Sequence, residues 1–227
     1  MHIKRNNLGK FWPIPRKGTK YLAVPKHNKS EAVSLIVVMR EILKVVKNKK
    51  ELKRLLNEKK VQVNYNNVNE TNYPICLFDT INLADAKKNY RAMLSKEKKM
   101  IFEEVSGKES EVKVYKILNK KILPGGKVQF NLMHGKNIVL KEKANVGDSL
   151  IFNSKENKVE KIIPAEKGRE AFILNGKHAG HVGKIEDIIE RGGKILAKIT
   201  SEKGRVNVWI KNIIIIKWVK IKWESLK

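Results

Sequence analysis

The sequence predicts an α+β protein in which a small helical module precedes two small β domains. Apolar residues recur three or four apart between residues 31 and 56, which is typical of short amphipathic helices. From residue 84 onward, short segments that alternate polar and apolar residues are separated by glycine turns, as in small barrels or sandwiches. The chain also carries 49 Lys and Arg residues against 23 Asp and Glu, a formal net charge of +26. Clustered charge of this size indicates a phosphate-bearing partner.

Residues 1–30 form a basic arm that contains eight Lys or Arg residues and no acid. Its prolines and glycines interrupt any helix, so we expect the arm to be disordered in the free protein and ordered against a polyanion. Phe11 and Trp12 have two interpretations. They either stack on an exposed base or pack on the body of the protein and anchor the arm.

Residues 31–88 are predicted to form a module of two helices and short strands. The first helix is expected to begin after Ser30, a favourable N-cap, and to end near Asn48. The second, from Lys50 to Leu56, places its leucines on one side and lysines on the other. The short strands of the module are expected at residues 61–63, 68–69 and 78–81.

Residues 89–165 are predicted to be a central β domain, and residues 166–227 a second barrel with a basic tail. Strands of the central domain are expected at residues 111–117, 128–132, 138–140 and 149–152. In the last domain, the apolar run Ile213–Ile216 is expected to be the strand that closes the barrel. Trp218 and Trp223 follow it among lysines, and the sequence leaves open whether they stack on RNA or cap the core.

Two segments resemble known RNA-binding units. Residues of about 34–83, through Leu55-Leu56, Lys59-Lys60 and Val61-Gln62-Val63-Asn64, resemble the helical RNA-binding module named after the fourth protein of the bacterial small ribosomal subunit. Tyr65 and Asn66 replace the usual glycine of its turn, and Asn tolerates the left-handed backbone that a tight turn needs. The glycines between Gly168 and Gly183, with basic residues among them, resemble the KOW motif of ribosomal proteins and elongation factors, in which a bent loop approaches phosphate closely.

The order of these parts resembles, over nearly the whole chain, the family of small-subunit ribosomal proteins four of the archaeal and eukaryotic ("e") type. The residues that carry this resemblance are His2-Ile3-Lys4-Arg5, Trp12, Pro25-Lys26-His27, Ser34-Leu35, Met39-Arg40, Tyr90-Arg91, Leu132-Met133-His134-Gly135-Lys136-Asn137, Gly147-Asp148 and the loop from Gly176 to Gly183. The chain departs from the family at Asn64-Tyr65, where Asp-Gly is usual, and at His134, where Asp is usual.

The resemblance implies a non-catalytic structural protein that binds ribosomal RNA beside other small-subunit proteins in the cytoplasm, without a cofactor, a membrane partner or a small-molecule substrate. Binding is expected to rest on phosphate neutralisation and on RNA shape. The residues expected to contact RNA are Lys4, Arg5, Arg16 and Lys17 in the arm, Lys50, Lys53, Arg54, Lys59 and Lys60 in the module, and Lys136, Lys177, His178 and Lys184 on later loops.

Catalytic and metal sites are not indicated by the residue pattern. His178 and His181 are three apart without a nearby third ligand, and Cys76, the single cysteine, lies in an apolar run where a thiol is usually inert. No apolar run is long enough to span a bilayer. Two alternatives stay open, namely an elongation factor of the KOW kind and an RNA-modifying enzyme that uses the helical module for targeting.

Overall fold

Strands dominate the part of the chain that the structure describes, and the α-helices described there lie in the first half of the sequence. The computed structural model describes residues 3–140, 143–201 and 204–216. These residues divide into two compact units. One contains the described residues up to Lys113 together with Phe152–Val159, and the other contains Val114–Ile151 and the described residues from Glu160 onward.

Nine strands and three short helices are described in the first part of the chain. In chain order these elements are β1 (Ile3–Lys4), β2 (Tyr21–Leu22), β3 (Val33–Ser34), α1 (Leu35–Val37), α2 (Lys49–Asn57), β4 (Val61–Val63), β5 (Asn66–Asn67), β6 (Pro74–Ile75), β7 (Thr80–Leu83), β8 (Lys88–Leu94), β9 (Met100–Val105) and α3 (Gly107–Ser110). A π-helical turn, Val38–Ile42, continues α1. A five-stranded sheet in the order β5-β4-β7-β8-β9 supports the helices, and the pairs β1-β2 and β3-β6 stand beside it.

Two further sheets follow. Their strands are β10 (Val112–Ile122), β11 (Val128–Leu132), β12 (Asn137–Leu140), β13 (Ser149–Asn153), β14 (Lys158–Ile163), β15 (Glu170–Ile173), β16 (Val182–Arg191), β17 (Lys194–Ser201), β18 (Gly204–Trp209) and β19 (Ile213–Ile215). The sheet orders are β12-β11-β10-β13-β14 and β18-β17-β16-β15-β19. The buried run from Ile213 to Ile216 supplies β19, which pairs with β15 as the last strand of its sheet. The α+β fold class is therefore confirmed, with strands in the majority.

The start of the first helix differs from the expectation. The helix begins at Leu35 rather than after Ser30, because Val33 and Ser34 are extended and pair with β6. The first helical amides donate to carbonyls of the neighbouring loop, Leu35 N to Tyr73 O at 2.8 Å and Ile36 N to Thr71 O at 3.0 Å. Tertiary partners therefore satisfy the helix start, and no side-chain cap is needed there.

Asn48 does not end the first helix. It is the N-cap of α2, and its side chain accepts a hydrogen bond of 3.0 Å from Glu51 N. This cap explains why α2 begins at Lys49, and the helix spans Lys49–Asn57, one residue longer at each end than the predicted second helix.

The strands of the β4-β7-β8 sheet also shift relative to the sequence prediction. β4 lies where it was expected, but β5 covers Asn66–Asn67 rather than 68–69, and β7 covers Thr80–Leu83 rather than 78–81. β7 and β8 form a hairpin in which Leu83 pairs with Lys88. The expected boundary between residues 88 and 89 therefore falls within paired strands.

Candidate nucleic-acid interface

The exposed face of α2 presents lysines to solvent because its leucines face the core. Leu52 and Leu56 are 0% and 1% exposed, whereas Lys50 and Lys53 are exposed. The three- and four-residue spacing on a 3.6-residue helix produces this separation. Lys59, just beyond the helix, is also exposed, and its positive φ of 56° ends the helical path.

Two of the predicted module contacts already have acidic partners. Arg54 Nε lies 2.8 Å from Glu58, and Lys60 Nζ lies 3.0 Å from Glu58 and 3.1 Å from Asp85. These contacts raise the pKa of Arg54 and of Lys60 and lower the pKa of the Glu58 carboxyl, in each case first through the hydrogen bond. Their charge is partly neutralised within the protein.

The other three predicted module contacts differ from Arg54 and Lys60. These are Lys50, Lys53 and Lys59, termed the unpaired lysines. Among the described residues, no ion pair with an acid involves any of them. A phosphate of a bound nucleic acid is a partner that can neutralise their charge. Sequence reasoning named these three lysines together with Arg54 and Lys60, and the structure separates the two groups.

A buried polar network holds the turn that follows β4. Asn64 and Tyr65 adopt left-handed backbone angles, with φ of 51° and 61°, as expected for a turn that lacks glycine. Asn64 Nδ2 donates to Asp79 Oδ1 at 2.7 Å, and Cys76 N donates to Asp79 Oδ2 at 2.6 Å. Lys113 pairs with the same carboxylate, and both side chains of this pair are nearly inaccessible.

Asp79 and Lys113 were not identified from the sequence. They are 34 positions apart, and a lysine within a charged chain gives no local sign of burial. Because the pair satisfies both buried charges and also orders the turn, removing one partner alone would leave a buried charge without compensation.

The basic arm is packed on the first unit. Trp12 is 5% exposed and belongs to the hydrophobic core, with Leu8, Phe11 and Ile14 beside it. Of the two interpretations of Trp12, packing on the body is confirmed. The buried indole tethers the arm to the rest of the first unit, which differs from the expectation that the arm is disordered in the free protein.

Hydrogen bonds complete the attachment of the arm. Met100 N donates to Phe11 O at 2.8 Å, which joins the arm to β9. Arg5 donates to Thr19 O at 2.8 Å and to Pro15 O at 2.6 Å, so its guanidinium is occupied within the arm. Lys4, Arg16 and Lys17 are exposed.

The glycine-rich loop of the second unit lies between β15 and β16. Gly176 and Gly180 have φ of 102° and 87°, which only glycine adopts readily. Gly183 has no room for a side chain, since an added Cβ would lie 2.5 Å from Thr200 O. Lys177 and Lys184 are exposed and His178 is half-buried.

Lys136 occupies a different setting from the other predicted contacts. Its Nζ lies 5.8 Å from the centre of the Tyr115 ring, and the side chain is half-buried. The ammonium therefore has an aromatic partner within the protein. Trp218 and Trp223 lie outside the described residues.

The described part of the chain has one cysteine, which is buried. Burial raises the pKa of the Cys76 thiol to about 12, so the reactive thiolate is negligible at neutral pH. Across residues 3–140, 143–201 and 204–216, no three His, Cys, Asp or Glu side chains gather where they could hold a metal ion. Nor does any helix there have the length and apolar character needed to cross a bilayer.

Comparison with known proteins adds two family matches. The family model described as ribosomal family S4e matches residues 86–159, and the KOW motif matches residues 167–202. The small ribosomal subunit protein eS4 of Methanocella arvoryzae is 34% identical over 190 residues, which cover 82% of this chain and 80% of the relative. The eS4 protein of Nanoarchaeum equitans is 28% identical over 221 residues, which cover 94% of each chain.

A solved structure shares the fold. The 30S ribosomal protein S4e from Thermoplasma acidophilum superimposes with a TM-score of 0.71 at 24% identity, covering 84% of this chain and 97% of that one. The shared fold therefore covers most of the chain.

Proposed function

The chain belongs to the ribosomal family S4e, and on that premise we propose that it is a structural constituent of the small ribosomal subunit that binds ribosomal RNA. The observation that carries the proposal is the match at 34% identity over most of the chain to a small ribosomal subunit protein eS4. The net charge of +26 supports the same conclusion, because a protein that repels itself this strongly is suited to a polyanionic environment.

Phosphate neutralisation is the proposed basis of affinity. Each lysine that replaces counterions on the RNA backbone contributes through their release, so affinity falls as salt rises. The unpaired lysines Lys50, Lys53 and Lys59 are the strongest candidates in the first unit, because binding them to phosphate breaks no ion pair described in the protein. Arg54 and Lys60 would exchange an existing carboxylate for a phosphate and therefore contribute less.

Recognition of RNA shape is proposed for both units. The deep major groove of an RNA helix excludes side chains, so contact falls on phosphates and on 2′-hydroxyls of the shallow groove. In the second unit, Lys177 lies between Gly176 and Gly180 of the loop, and Lys184 follows the loop in β16. The glycines carry no side chain, so their backbone amides can approach phosphate closely. Lys4, Arg5, Arg16, Lys17, Lys136 and His178 remain proposed contacts.

The proposed partners are small-subunit ribosomal RNA and neighbouring ribosomal proteins, and the proposed location is the ribosome in the cytoplasm. A non-catalytic role follows from this assignment. The division into an arm (1–30), a helical module (31–88), a central β domain (89–165) and a KOW barrel (166–227) remains a proposal for how these contacts are distributed.

Sedimentation of a cell lysate on sucrose gradients, followed by a high-salt wash, tests the assignment. We expect the protein to remain with the small subunit at near-stoichiometric amounts after the wash. Sedimentation with RNA polymerase would instead indicate an elongation factor, and a free protein that modifies RNA would indicate an enzyme. Either result would overturn the proposed function.

A further inference from the structure

A cleft of roughly 810 Å³ opens in the first unit between the arm and the turn that joins β8 to β9. Its apolar lining comes from Leu8, Trp12, Ile14 and Pro15. Pockets that hold small molecules are typically about 300–1,000 Å³ and are lined mainly by apolar groups with a few polar ones. The cleft has a volume in this range, and its lining combines these four apolar side chains with six polar or charged ones, which suits a ligand that is partly apolar and partly charged.

The charges around the cleft select an anion. Arg5, Lys10, Arg16 and Lys99 line it, against the single carboxylate of Glu97. Glu97 is engaged by Lys99 at 3.3 Å. Among the described residues, no ion pair with an acid involves Lys10 or Arg16. Both side chains are exposed and remain available to a negatively charged ligand.

The wall of the cleft is held in place before any ligand binds. The Arg5 guanidinium donates to Pro15 O, Thr19 O and Thr19 Oγ1, which closes the loop from residue 15 to residue 19. On the other side, the bond from Met100 N to Phe11 O fixes the arm to β9. A site built in advance loses less conformational entropy on binding. Arg5 thus holds the wall of the cleft in position.

We propose that this cleft receives one unpaired nucleotide of ribosomal RNA, with the base against Leu8, Ile14 and Pro15 and the flanking phosphates at Lys10 and Arg16. The inference rests on the proposed function and adds a specific contact to it. RNA-binding proteins recognise single-stranded positions by taking up splayed bases, whereas a base-paired helix offers only its phosphates and groove edges. An acidic peptide of a neighbouring protein is the competing occupant, and the net charge of the chain together with the apolar lining favours RNA.

Photocrosslinking from within the particle tests the proposal. The variant Pro15→p-benzoylphenylalanine retains the backbone carbonyl that Arg5 contacts. The control is Tyr21→p-benzoylphenylalanine, at an exposed aromatic position outside the lining. We expect irradiation of purified small subunits to produce, from position 15, an RNA adduct at one unpaired nucleotide, mapped by a reverse-transcription stop. The control should not produce this stop. Adducts to a protein, adducts spread over paired nucleotides, or no adduct would overturn the proposal.

A second measurement keeps the inference testable if the bulky side chain prevents assembly. Small subunits that carry Lys10→Ala and Arg16→Ala are probed by 2′-hydroxyl acylation, and we expect one unpaired nucleotide to become severalfold more reactive than in wild-type particles. An unchanged acylation profile would overturn the inference. Failure of the wild-type protein to cosediment with small subunits would overturn the proposed function, whereas normal assembly without these RNA signals would overturn the cleft alone.

Discussion

Removing the unpaired lysines should flatten the salt dependence of RNA binding. The variant Lys50→Ala, Lys53→Ala, Lys59→Ala removes three exposed charges that have no described acidic partner. Each phosphate contact contributes about 0.7–0.9 to the slope of log K against log [salt], so three contacts contribute about 2–3. Between 50 and 200 mM salt, the wild-type protein should lose about 20–40-fold more affinity than the variant.

Fluorescence anisotropy with small-subunit ribosomal RNA at several KCl concentrations measures this slope. The matched control is Lys26→Ala, Lys88→Ala, Lys155→Ala, since each of these exposed lysines is ion-paired, with Glu70, Glu104 and Glu111 respectively. The control has the same net charge as the test variant, and its slope should change by less than about 1. Equal slopes for the two variants would refute the reasoning, because overall charge alone would then govern binding.

Four other residues give direct tests. Trp12→Ala should lower the free energy of unfolding by about 3–5 kcal/mol in urea melts and speed tryptic cleavage within residues 1–30, and an unchanged cleavage rate would contradict the packed arm. Asn48→Ala should cost about 1 kcal/mol through loss of the α2 cap, whereas Asn48→Asp should largely retain it. Burial lowers the pKa of the Lys116 ammonium from 10.5 to about 8. Between these two pH values the unfolded chain binds one more proton than the folded protein, so the free energy of unfolding should rise with pH by about 2–3 kcal/mol, an increase that Lys116→Met should lack. Parallel pH profiles of the two proteins would exclude this linkage. Cys76 should resist iodoacetamide at pH 8 until the protein is denatured, and labelling of the native protein would show that the thiol is not buried.

Strand positions were predictable where polar and apolar residues alternate along the chain, because one face of such a strand is buried and the other is exposed. β11 lies at the residues expected from the pattern between 128 and 132, and β4 at those expected between 61 and 63. The buried run from Ile213 to Ile216 was recognisable as an interior strand because four consecutive β-branched residues suit a strand more than a helix or a turn. Such local patterns also led to the correct fold class.

Features that depend on distant partners were not predictable in the same way. Ser30 has the chemistry of an N-cap, yet the first helix begins at Leu35 because the amides of that helix find carbonyls near Tyr73. Trp12 lies within a strongly basic segment, and only the contact with the core decides that its ring is packed rather than free. Composition alone does not distinguish these outcomes, because each depends on a residue far along the chain.

The sequence also does not show which basic residues of the candidate interface are already paired or buried within the protein. Lys50 and Lys60 are both preceded by a lysine in the sequence, but Lys60 is ion-paired with Glu58 and Asp85 whereas no described ion pair involves Lys50. Lys116 is buried and donates to the carbonyls of Ile210 and Ile213. A buried or carboxylate-paired cation must first give up a partner before it can meet phosphate, so it adds less to counterion release than a solvated one. The net charge of +26 therefore overstates the number of cations that are free to bind RNA. The slope of log K against log [salt] measures how many phosphate contacts the protein makes.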